Sequence, residues 1–138
     1  MASFNKFNIF TYDVLAKKHD FTADTFKVAL SNTAPTSANA LLADITQISA
    51  GNGYTAGGTA TSMSLSTSSG TAKATGTDVV FTASGGSIGP ARYAVLYNDT
   101  AASDPLVGWW DYGSSITLAT SETLTVDFDA SNGILTIV

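Results

Sequence analysis

Asp127 and Asp129, two positions apart and downstream of the chain's sole glutamate, Glu122, are the residue types that acid–base work on a glycosidic bond would use. A strand sends alternate side chains to one face, so both aspartates would lie beside Thr125 on an outward face, where solvated acids explain the pattern without catalysis. A Ser-His-Asp triad would have to use His19, the only histidine, and serine is so frequent here that any choice of nucleophile is arbitrary. With Lys17, Lys18 and Asp20 around it at the expected end of a helix, His19 reads as a cation favoured by the helix dipole. Asn98, Asp99, Asp104 and Asp111 supply oxygen ligands around one loop, as a calcium ion would require. Their spacing fits no EF-hand, and Asn-Asp-Thr is ordinary turn chemistry, so no metal is expected.

Two glycine-rich stretches, GNGYTAGG (Gly51–Gly58) and SGGSIGP (Ser84–Pro90), lack the lysine of a phosphate-binding loop and read as turns that need positive φ. The aromatic run Trp109, Trp110 and Tyr112 is the better candidate for binding. Adjacent strand residues face opposite ways, so if Leu106, Trp110 and Tyr112 line the core, Trp109 points outward. There it would stack on a sugar or anchor a protein contact, together with Asp99 and Asp104; the alternative is a Trp109 covered by the N-terminal segment.

The elements that must position these residues are mostly strands. Phe26, Val28 and Leu30 alternate with Lys27 and Ala29; Val79, Phe81 and Ala83 alternate with Val80 and Thr82; Tyr93, Val95 and Tyr97 alternate with Ala94 and Leu96. Leu124, Val126 and Phe128 repeat the pattern, and Asn132-Gly133 is a hairpin signal that predicts pairing of Ile134–Val138 with that strand. Weaker strands are expected at Thr61–Leu65, at an edge, and at Thr71–Thr75. Phe7, Phe10, Val14 and Leu15 recur at helical spacing, with Asp13, Lys17 and Lys18 on other faces, which predicts a short amphipathic helix within Phe4–His19. A helical turn is expected to place Leu42, Ile45 and Ile48 together. About eight strands, frequent turns and no βα alternation predict an all-β antiparallel β-sandwich, jelly-roll-like, with one N-terminal helix, in a single domain over residues 1–138.

Composition narrows the function. Charged residues make up 12% of the chain, against about 25% in ordinary soluble domains. A neutral Ser/Thr/Gly/Asn surface packs against neighbours at little desolvation cost. With a net charge of −5, one arginine (Arg92) and only Lys17 and Lys18 adjacent, a nucleic-acid surface is not expected. The absence of cysteine excludes thiol chemistry and disulfides, and suits a reducing cytoplasm. The first twenty residues lack the unbroken apolar run of a signal peptide, and no run has the length of a membrane-spanning helix, so neither export nor a membrane partner is expected.

The order of an amphipathic start around Phe4–His19 and the blocks DTFKVALSNTAPT (Asp24–Thr36), LLADITQISAGNGYTAGG (Leu41–Gly58), VVFTASGGSIGPARYAVLYND (Val79–Asp99) and SETLTVDFDASNGILTIV (Ser121–Val138) resembles small virion proteins encoded among the structural genes of tailed bacteriophages and prophages. The resemblance spans nearly the whole chain and carries no short functional motif. It implies a non-enzymatic virion structural protein without cofactor, made in the host cytoplasm. Its sharpest form is a capsid decoration, or cement, protein on the capsid surface, with the major capsid protein as partner and a homotrimer as the favoured oligomer. The segments expected to touch the lattice are the N-terminal one with Phe4 and Phe7, the Ser31–Ala40 loop with Pro35, and the Gly51–Gly58 loop with Tyr54. The alternative is a tail or fibre module that binds host glycan through Trp109, Asp99 and Asp104.

Overall fold

The computed structural model describes residues 2–138. Along them run β1 (Phe4–Lys6), α1 (Asn8–Leu15), β2 (Phe26–Ser31), a 3-10 turn (Leu42–Asp44), β3 (Thr59–Thr61), β4 (Met63–Ser68), β5 (Thr71–Gly76), β6 (Val79–Thr82), β7 (Ile88–Asn98), β8 (Leu106–Leu118), β9 (Thr123–Val126) and β10 (Leu135–Ile137). The fold is all-β and sandwich-like. One layer is a five-stranded antiparallel sheet in the order β1-β8-β7-β2-β3, centred on the long β7–β8 hairpin. The other layer is divided between a β6-β9 ribbon and a β10-β5-β4 sheet, where a jelly roll has one continuous sheet.

Alternation explains the main core. Phe26, Val28 and Leu30 of β2, Leu96 of β7 and Trp110 of β8 meet Val79 and Phe81 of β6, Leu124 and Val126 of β9, and Phe128 just beyond it. The opposite face of the five-stranded sheet is covered as well. Ala29, Val95, Tyr97 and Leu106 pack there against Phe7 and Ile45, with Ile9, Leu42 and Trp109 at the margin. Burial on both faces is why β2 is nearly continuous in apolar burial, Ala29 included, instead of alternating.

Five expectations are corrected. Phe4–Lys6 is a strand, not helix: it hydrogen-bonds along the edge of β8, and the Phe4 ring packs edge-on against Trp110 with centroids 4.9 Å apart. The Phe4/Phe7/Phe10 spacing mimics a helix, yet only Asn8–Leu15 is one. On that helix Phe10 and Val14 pack to the core as expected, but Asp13 is fully buried and Leu15 is 83% exposed, the reverse of what was expected of those two. Leu106 does not share a side with Trp110. Leu96 pairs with Gly108 and the next residue, Tyr97, pairs with Leu106, so Val107 is an extra residue on β8 and the faces exchange there. Finally, β10 pairs with β5 rather than with its predecessor. The turn before it is closed by Gly133 N–H to Asp129 O at 2.7 Å, and Ile134 N–H donates to Ala74 O, which seats the C-terminal strand on β5. The predicted helical turn is the 3-10 turn, and it splits its apolar residues: Ile45 and Leu42 join the smaller cluster, Ile48 the larger.

Candidate functional site

The residues expected to touch a capsid divide into two groups. Phe7 is 0% exposed and Tyr54 is 2% exposed, so neither is a contact residue in the folded chain. Phe7 fills the space between Trp109, whose ring centroid lies 4.6 Å away, and the 3-10 turn's residues. Tyr54 closes the Gly51–Gly58 loop over the sheet: its hydroxyl accepts from Leu30 N–H at 3.0 Å and donates to Gln47 Oε1 at 2.9 Å. Burial pushes its phenol above the usual tyrosine range. Phe4 and Pro35 are half-buried. What the N-terminal segment does present is Tyr12, 65% exposed, and Leu15, on the outside of a helix anchored beneath by Phe7 and Phe10.

The expected glycan residues do not form an open aromatic platform. Trp109 is half-buried and lies against Phe7. Asp99 pairs with Lys27 at 3.0 Å, and Asp104 sits in the β7–β8 loop with φ +53°. Of the four oxygen-bearing residues weighed for calcium, Asn98, Asp99 and Asp111 go to separate partners. Asn98 is buried; its amide donates to Asp24 Oδ2 at 2.7 Å and Lys18 O at 3.2 Å, while its Oδ1 accepts from Thr100 and Ala101 N–H. Asp111 pairs with Arg92. Among the described residues, no group of three or more His, Asp or Glu side chains is placed to hold a metal ion.

His19 is not a helix-capping cation. Its ring is enclosed by Phe10, Phe26 and Phe21, with the nearest centroid, that of Phe10, 5.2 Å away, and Nδ1 lies 3.3 Å from the Asn98 amide. Burial lowers its pKa below 6.5, against the opposing pull of Asp13 and Asp24. Contrary to the expectation that no nucleophile-elbow motif is present, the string Gly85-Gly86-Ser87-Ile88-Gly89 has its letters. It leads from loop into β7 rather than from strand into helix, and no hydrogen bond joins Ser87 to His19. The aspartates weighed as an acid–base pair are turn residues. β9 ends at Val126; Asp127 Oδ1 accepts from Asp129 N–H at 2.7 Å, and Asp129 holds Asn132 through its backbone and amide N–H, bonds that lower the Asp129 pKa. Glu122 caps the β8–β9 turn by accepting from Ala119 N–H.

A cleft of about 740 Å³ opens where β7 and β8 splay from β9. Its inner wall is Trp110, 6% exposed, with Leu30, Ala94, Leu124 and Val126; Tyr93, Tyr112, Asn5 and Asp127 stand at its margins. Among its lining residues, Arg92 of β7 makes a two-pronged bond to Asp111 of the neighbouring strand β8, Nε to Oδ1 at 2.8 Å and Nη2 to Oδ2 at 3.1 Å. Those bonds, with the Gly113 N–H bond to Oδ1, hold the Asp111 carboxyl below its usual range. The guanidinium carbon also lies 5.3 Å from the Tyr93 ring centroid. The local cause is an irregularity in the hairpin. β7 passes from Ala91 to Tyr93 while β8 passes from Ile116 to Asp111, so Tyr112–Ser115 bow outward and leave Tyr112 54% exposed at the cleft mouth. Sequence reasoning missed Arg92 and Asp111 as partners, since only the hairpin register brings them together.

No helix among the described residues is long and apolar enough to cross a membrane. No family model matches the chain, and no curated protein or solved structure matches it.

Proposed function

We propose that the chain is a non-enzymatic structural protein of a tailed-bacteriophage virion that docks on the capsid lattice as a decoration protein. The phage assignment comes from the order of sequence blocks. The observation that carries docking is the anchored helix α1: Phe7 and Phe10 fix it to the sandwich, Trp109 is covered, and Tyr12 and Leu15 project outward. A rigid helix that exposes an aromatic and an aliphatic side chain holds an apolar contact ready for a partner at low ordering cost. The sparse charge of the surface reduces what must be desolvated when it meets the major capsid protein. A homotrimer on threefold positions would repeat the contact and turn weak individual docking into tight binding through effective concentration.

The experiment is cosedimentation of the purified protein with capsids lacking it, followed by imaging of the particles. Saturable binding at lattice symmetry positions is the expected result. Absence from the head, with label only at the tail or none on the particle, overturns the proposal.

A further inference from the structure

We propose that the cleft between the β7–β8 hairpin and β9 is a binding site for a neutral saccharide. Its volume, about 740 Å³, lies within the roughly 300–1,000 Å³ of small-ligand sites. A sugar offers an apolar face of C–H groups and an edge of hydroxyls that both donate and accept. The cleft offers the complement. Tyr112, bowed out at the mouth, provides a ring on which a sugar face can lie, with the Trp110 wall beneath. The Arg92–Asp111 pair places N–H donors and carboxylate acceptors side by side, and its two-pronged geometry holds them in place before any ligand arrives.

Stability is a poor reason for this pair. Arg92 and Asp111 side chains are 36% and 38% exposed, and ion pairs in such positions contribute little to folding. The chain's single arginine is nevertheless placed here. Charge fixes the class of sugar. Asp111 neutralises Arg92, and Asp127 at the rim leaves the cleft with a surplus negative charge, so uronic acids and phosphorylated sugars are repelled. This inference does not depend on the virion reading.

Trp110 is a built-in reporter once Trp109 is replaced by phenylalanine, which keeps an aromatic ring against Phe7. In that background we would titrate cellobiose, maltose, lactose and diacetylchitobiose, with glucuronic and galacturonic acids as charged controls. Trp110 emission would be read alongside saturation-transfer NMR. The expected result is a saturable change with at least one neutral disaccharide, weakened about tenfold or more by Tyr112→Ala and by Arg92→Lys, which keeps the charge and loses the fork. Circular dichroism and thermal melting check that both variants remain folded. Three results overturn the proposal: no saturable change up to about 10 mM, equal binding by the folded variants, or uronic acids that bind as tightly as the neutral sugars.

Discussion

At the residue scale, two ionisable groups lie where their charge matters to folding. His19 is ringed by Phe10, Phe21 and Phe26, its Nε2 is buried without a hydrogen-bond partner, and its pKa is lowered from 6.5 chiefly by burial. The folded protein therefore resists a proton that the unfolded chain accepts. Above about pH 6.5 the ring is neutral in both states and this stabilisation is fully present; it is lost as pH falls from there through the lower folded pKa. Asp13 and Asp24 draw the pKa back up and Lys18 pushes it further down. Unfolding free energies measured from pH 7.5 towards about 5, above the range where ordinary carboxylates titrate, should decline in the native protein and stay flatter in His19→Gln. Asp13, fully buried, is the second case. Its counter-charge is Lys18 Nζ at 3.0 Å, and its oxygens lack hydrogen bonds of good geometry. Removing one partner of a fully buried pair costs about 3–5 kcal/mol. Lys18 is half in water, so Lys18→Ala should cost about 1–2 kcal/mol by urea denaturation, with part recovered when Asp13→Asn is added.

At the scale of the element, β8 organises the fold because it takes β1 on one side and β7 on the other. The pairing with β1 depends on Gly108, since a Cβ there would overlap the Phe4 ring and the Asn5 carbonyl. Gly108→Val should detach β1, destabilise the protein by about 2 kcal/mol or more and expose Trp110 to quenchers, as overpacking and lost aromatic contact combine. The β4–β5 hairpin is the opposite extreme. Residues 64–70 are all exposed and β4 has an open edge. Amides of β2, β7 and the Leu106–Trp110 part of β8 should be the slowest to exchange with deuterium, and those near the β4–β5 turn the fastest. These elements also divide by how plainly the sequence announces them. Val79/Phe81, Leu124/Val126 and Tyr93/Val95/Tyr97 were legible because each strand has one buried face or a consistent pair of faces, and period two survives. Leu106 misled because the extra residue Val107 reverses the faces, and Phe4 misled because three phenylalanines three apart fit a helix as well as a strand followed by a helix. The partner of β10 and the Arg92–Asp111 bond were invisible for a different reason. Both depend on register between distant segments, which no local pattern encodes.

For the whole molecule, the unequal layers determine which surfaces are available to others. The five-stranded sheet is covered on both faces over most of its length, so Trp109 and Trp110 are committed to the interior or its margin. Exposed apolar side chains include Tyr12 and Leu15 on the helix, Tyr112 at the cleft mouth, Val80 on β6, and Leu65 and Ile137 on the small sheet. If capsid docking runs through the helix, replacing its two exposed apolar residues should separate binding from folding. Tyr12 and Leu15 contribute little to the core, so Tyr12→Ser/Leu15→Ser should melt within a few degrees of the native protein. In a trimer the loss of affinity at each docking site is compounded across three, and a tenfold loss per site becomes a much larger loss for the assembly. Capsid cosedimentation should therefore fall to background for this variant, while Leu65→Thr/Ile137→Thr, on the β10-β5-β4 sheet, should bind as the native protein does. The reverse pattern would move the docking surface from the helix to the β10-β5-β4 sheet, whose open, uncharged β4 edge could pair with a strand of the partner.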